Sequence, residues 1–148
     1  MNTNILSVFR RNAIDADLLA VSPKPSVYAV TIRDKDHPVT RGLPECWMHA
    51  NDELFDHLRG PAWKLQVLAT AFSDTASDGS GEHEPALFIV DYGRGRVFHT
   101  ILGHSVEAMS CVGFITTLRR GAQWAATGKV TVAVPNDFPT AQEVRSRP

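Results

Sequence analysis

ALFIVDYGRGRVFHTILGH, residues 86–104, decides the fold class. Ala86 to Tyr92 and Val97 to Leu102 are apolar, β-branched and aromatic runs of strand length. Gly93-Arg94-Gly95 joins them, and glycine on both sides of a tight connection signals a hairpin. The second run stops at Gly103-His104. The period then changes. Over 112–126, Phe114, Leu118, Ala122 and Ala125 share one helical face, with Ile115 and Gly121 beside it and Arg119 and Arg120 on the polar side. Gly128 is placed to end that helix. Strands leading into an amphipathic helix give an α/β class.

Upstream, Leu65 to Phe72 reads as another strand, and the β-friendly run around Val27 to Ile32 as a strand at about 26–33. Between them, His37-Pro38 opens an extended loop that runs through Pro44, because proline biases the residue before it away from helix. Asp52 to Phe55 fits either a short strand or one helical turn. Residues 73–84 are rich in Ser, Thr, Asp and Gly, and Asp78-Gly79-Ser80-Gly81 marks a surface loop. Residues 4–19 show an irregular helical spacing, ended by Pro23 and Pro25. The tail holds Pro135, Pro139 and Pro148 and is expected to be extended and loosely packed. Three units follow: a segment 1–25, a domain 26–130 and a tail 131–148.

The composition suits one globular domain. Of 148 residues, 43% are hydrophobic and 21% charged, enough to bury a core. Fifteen basic residues against sixteen acidic ones leave no electrostatic footprint for nucleic acid or an anionic membrane. No apolar run approaches bilayer-spanning length, and the N-terminus lacks the apolar stretch of a secretory signal, so a cytoplasmic protein is expected. Cys46 and Cys111 form no C-x-x-C pair and sit in no strand-turn-helix elbow. Cys111 reads as a small buried hydrophobe.

The ordered set HPVTRGLP (37–44), DELF (52–55), VLATAFSD (67–74), HEP (83–85), YGRGRVFHTILGH (92–104) and GFITTLRRGAQWAATGKV (113–130) resembles the ThuA-like (trehalose-utilisation) family. The resemblance covers roughly two thirds of the chain, and the ordered set is far more specific than any single piece. It implies a flavodoxin-like, three-layer α/β sandwich related to class I glutamine amidotransferases. It also implies a link to trehalose or related sugars. Family domains carry a longer N-terminal half, so the match implies a domain lacking its first strands. An exposed sheet edge would follow, and with it a homo-oligomer. Glutaminase chemistry is not expected, because neither cysteine fits the nucleophile's place.

Candidate site residues follow from position. His104 comes directly after a strand, with Gly103 freeing the backbone. It suits a ligand-facing acid, base or orienting group; the competing reading is a helix cap. Glu53 is counted with it among the catalytic candidates, as the carboxylate of the Asp52-Glu53 pair that would hold sugar hydroxyls; the competing reading is a salt bridge or loop cap. Asp52, His83 and Glu84 are candidates to hold sugar hydroxyls, since carboxylates accept strong hydrogen bonds. On a strand, Asp52 and Glu53 point to opposite faces. Trp47 and Phe55 are candidates to stack on a sugar ring, and Trp124 to pack the helix. His99 reads as a core histidine and His37 as a structural one. His49 and His57 flank Asp52-Glu53 without a metal-ligand spacing. No cofactor is expected and no residue is assigned to a metal; the expected partner is a small-molecule sugar. The competing reading is a non-catalytic binding or assembly module, or a truncated fragment, acting through self-association or a partner. A metal-dependent hydrolase using the six histidines is the third and weakest reading.

Overall fold

The computed structural model describes residues 24–58 and 65–148. The helical spacing at 4–19 and the separate segment 1–25 fall almost wholly outside these residues. Five strands form one sheet: β1 (Ser26–Ile32), β2 (Cys46–Asp52), β3 (Leu65–Phe72), β4 (His83–Tyr92) and β5 (Gly95–Thr100). A 3-10 turn spans Thr75–Ser77, and two helices follow, α1 (Val106–Ser110) and α2 (Val112–Thr127). No helix among the described residues is long and apolar enough to cross a membrane.

The sheet order is β2-β1-β3-β4-β5, and every neighbouring pair is antiparallel. This differs from the parallel sheet that a flavodoxin-like resemblance implies. For the β3–β4 and β4–β5 pairs the cause is the length of the connections. Residues 73–82 and 93–94 join consecutive neighbouring strands, and neither stretch is long enough for the helical crossover that parallel neighbours need. At the tighter connection Tyr92 pairs with Gly95. Gly93 holds a φ of 59° at the first central position, as a two-residue hairpin turn of this hand requires.

The core lies between the sheet and α2. Tyr28, Val30 and Ile32 alternate inward from β1, and Trp47, Leu68, Leu87, Ile89, Phe114 and Trp124 join them. The helix packs on β5 and also touches β2, at the opposite edge, so the sheet is curled about it. Two close approaches explain glycines on α2. A Cβ at Gly113 would lie 2.4 Å from the Trp47 indole nitrogen, and one at Gly121 would lie 2.1 Å from the Phe98 ring. Gly128 ends the helix as expected, with φ 75° and its N–H donating to the Trp124 carbonyl at 2.7 Å.

Two expectations need correcting. Arg120 is not on a polar face: it is 5% exposed and donates to four carbonyls, of Val39 (2.7 Å), Pro38 (2.9 Å), Arg41 (2.7 Å) and Val132 (2.8 Å). The guanidinium fork can satisfy several acceptors at once, so a buried arginine replaces the solvent-facing one that periodicity suggests. The tail is not loosely packed either. Phe138 is buried edge-on against Trp47, with ring centroids 5.5 Å apart. The Met48 N–H donates to the Thr140 carbonyl, and Val112 N–H to that of Arg145, so the tail fastens to β2 and to the start of α2.

Candidate functional site

Strand direction gathers the candidates. β2, β3 and β5 run one way and β1 and β4 the other. One end of the sheet therefore collects the exits of β2 and β5 with the start of β4. Asp52 and Glu53, His83 and Glu84, and Gly103 and His104 all lie at that end. The rule placing ligands beyond the carboxyl ends of strands was framed for parallel sheets. Here the candidates after β2 and β5 obey it, and those on β4 lie at its start.

Asp52 ends β2 with its side chain inside the protein, 1% exposed. Its Oδ2 accepts from the Gly103 N–H at 2.7 Å and pairs with His49 Nε2 at 2.9 Å. Its Oδ1 accepts from the N–H groups of Glu53 and His104, both at 3.0 Å. Burial alone would raise the Asp52 carboxyl, but the bonds from His49, Gly103 and His104 outweigh it and hold it below the ordinary carboxylate value. His49 is fully buried, its ring 5.4 Å from that of Tyr28. Burial pulls its pKa down, yet the bond to Asp52 and the neighbouring Cys111 thiol raise it above the ordinary imidazole value.

Glu53 turns the other way, as adjacent residues at a strand end should. Its Oε2 pairs with His104 Nδ1, the imidazole being 54% exposed and the carboxylate 32%. The Phe55 ring stands 5.7 Å from the imidazole, tilted by 36°. Beside them lies a cleft of about 370 Å³, lined by Phe55, Leu58, His99, Thr100, Gly103 and His104 among others. With Nδ1 engaged by a carboxylate, Nε2 is the ring nitrogen that remains for a further proton donor or acceptor. This is the arrangement by which a carboxylate orients a histidine for proton transfer.

The other sequence candidates divide. Trp47 is fully buried under Gly113 and Phe138, so its ring faces are covered by protein and do not receive a sugar. It shares a strand face with His49, and that face looks into the core. Asp52 has four hydrogen bonds on its two oxygens and no accessible surface, so it positions backbone rather than meeting hydroxyls. Glu84 is fully buried too; its Oε1 accepts from Ser80 Oγ at 2.7 Å and from the His57 N–H at 3.1 Å, tying the 73–82 loop to the segment after β2. His83 is exposed beside the Phe72 ring, 5.3 Å between centroids. It points to the other side of β4 from Glu84. His99 is half-buried, stacked on Phe88 at 4.5 Å, and burial holds its pKa low. It also lines the cleft.

A local cluster of His49 and His57 with the neighbouring carboxylates was legible in the sequence, and His49 does pair with Asp52; the grip of Asp52 on the Gly103-His104 backbone was not. The available signal was the spacing of Trp47, His49 and Asp52, but a strand whose buried positions are polar hides its own alternation. No group of three or more metal-ligating side chains occurs among the described residues.

A curled antiparallel sheet around one long helix, with an imidazole–carboxylate pair at one sheet end, defines the class: a mixed α/β domain with a candidate proton-transfer site. The trehalose-utilisation (ThuA) family profile matches residues 9–125, reaching upstream of the motifs that carry the resemblance, and the chain belongs to that family. A crystal structure of a protein from Parabacteroides merdae ATCC 43184, described as ThuA-like, is 50% identical, with a TM-score of 0.82. The likeness covers 85% of this chain but 47% of that one, so the chain spans about half the length of this relative. No curated protein matches the chain.

Proposed function

We propose that the cleft beside His104 binds a sugar, and that the His104–Glu53 pair orients or moves a proton on it. The observation that carries this is the Nδ1–Oε2 contact between His104 and Glu53 beside a cleft that His104 and Phe55 both line. An aromatic ring suits the apolar face of a pyranose, and the polar pair suits its hydroxyls. Membership of a trehalose-utilisation family supports the choice of ligand class. In this reading His104 is the acid, base or orienting group, Glu53 fixes its ring, and Phe55 forms the stacking wall. The setting is a cytoplasmic one.

Thermal shift against a panel of mono- and disaccharides tests it. A sugar present at 100 times its Kd adds about 2.7 kcal/mol. At roughly 2–4 °C per kcal/mol for a domain of this size, the shift is about 5–10 °C. His104→Ala and Glu53→Gln should both abolish it. A folded protein that no sugar stabilises would sink the reading.

A second reading, an assembly module acting as a homo-oligomer or through a partner, draws on different observations. Val27 and Phe72 are about half exposed on strands β1 and β3. Light scattering that returns a clean monomer with cooperative unfolding would count against it.

A further inference from the structure

The members of the proposed working pair come from opposite edges of the sheet. Glu53 follows β2, at one edge, and His104 follows β5, at the other, with β1, β3 and β4 between them. No strand ladder joins β2 to β5. Beside the Glu53–His104 contact itself, the hydrogen bonds among the described residues that tie the backbone after β5 to the end of β2 all run to one carboxylate. Asp52 accepts from the N–H of Glu53 on its own edge and from the N–H groups of Gly103 and His104 on the far edge, at 2.7–3.0 Å. We propose that Asp52 is the positioning residue of this site, the clasp that closes the curled sheet and brings His104 within reach of Glu53.

Three features make the clasp firm. Its oxygens are fully used and out of water, so no solvent competes for them. His49 supplies the fourth bond from the same strand and holds the carboxylate from behind. On the far side, Gly103 is pressed against the helix: with φ 97°, a Cβ there would lie 2.7 Å from the Phe114 ring. The loop thus has a wall behind it and a carboxylate in front. Both backbone amides adjoining the His104 imidazole are fixed, which narrows where the ring can sit.

The inference rests on reading His104 and Glu53 as the working pair, but its test needs no sugar, so a failed sugar panel and a failed clasp are separate results. Two NMR readouts are compared in the native chain, Asp52→Asn and Glu53→Gln. One is the long-range proton–nitrogen spectrum of the His104 ring, which reports the nitrogen that carries the proton. The other is hydrogen exchange at the Gly103 and His104 amides. Asparagine presents an NH2 group where one carboxylate oxygen stood, so Asp52→Asn loses an acceptor for these amides. Their exchange should rise about tenfold or more, and the ring should change its protonation pattern as it does in Glu53→Gln. Glu53→Gln should change the ring and leave the two amides protected. Faster amide exchange in Asp52→Asn with a native ring spectrum would overturn the proposal, leaving Asp52 a structural fastener only. If Asp52→Asn does not fold, His49→Gln loosens the clasp from behind, and an unchanged ring spectrum together with native amide protection there would equally overturn it.

Discussion

Replacing Arg120 with alanine removes four hydrogen bonds with one cut. The guanidinium is almost wholly buried and reaches the carbonyls of Pro38, Val39 and Arg41 on one side and Val132 on the other. It therefore pins the 37–44 loop and the start of the tail to α2. A hydrogen bond to a charged group contributes about 1.5–3 kcal/mol, so a simple sum is about 6–12 kcal/mol. That sum overshoots, because the four bonds share one side chain, burying the charge has its own cost, and water re-enters the hole. Losses above about 5 kcal/mol are exceptional for one residue. The expected loss is about 3–5 kcal/mol, or a fall in Tm of roughly 6–20 °C at 2–4 °C per kcal/mol. Arg120→Lys should recover only part of it, since one compact ammonium cannot span four carbonyls held in a fork. Arg120→Met keeps the apolar stem and should still lose most of the stability. Urea denaturation with thermal melts measures all three. A loss under about 1 kcal/mol in both the alanine and methionine variants would refute the argument that these carbonyls depend on the guanidinium.

Gly103→Ala places a methyl group against Phe114 at a backbone angle that L side chains avoid, and should destabilise by about 2–4 kcal/mol through strain and overpacking; a native melting curve would contradict the tight approach seen here. Phe138→Ala should lose about 3 kcal/mol, since a buried ring leaves a cavity against Trp47; a change under about 1 kcal/mol would return the tail to a loose segment. The stability of the His49–Asp52 pair should vary with pH at both ends, with Tyr28 and Cys111 as the other titratable groups facing it. His49 is held above its ordinary value, so its contribution is complete below about pH 6.5 and fades as pH rises through the raised value. Asp52 is held below its ordinary value, so its contribution is complete above about pH 3.9 and fades as pH falls through the lowered one. The stability difference between the native chain and His49→Gln should therefore shrink toward alkaline pH, and that between the native chain and Asp52→Asn toward acid pH. Differences that stay flat from acid to alkali would refute this assignment.

Some of this molecule is written in short stretches of its chain. The strand at Leu65–Phe72, the hairpin around Gly93, the long helix and its Gly128 cap come from local pattern and turn chemistry, which need no distant partner. His104 and Glu53 stood out by position, directly after a strand and beside a second carboxylate. Tertiary structure decided the rest, because the deciding partners lie far apart in sequence. β2 escaped recognition since its buried face is Trp47, His49 and Asp52, and two of those are polar only until they meet each other and the Gly103 loop. Arg120 looked like a solvated charge because its acceptors are carbonyls about 80 residues upstream. Periodicity reports which side of an element is apolar, and it cannot report a polar group whose partners arrive only when the sheet curls and closes.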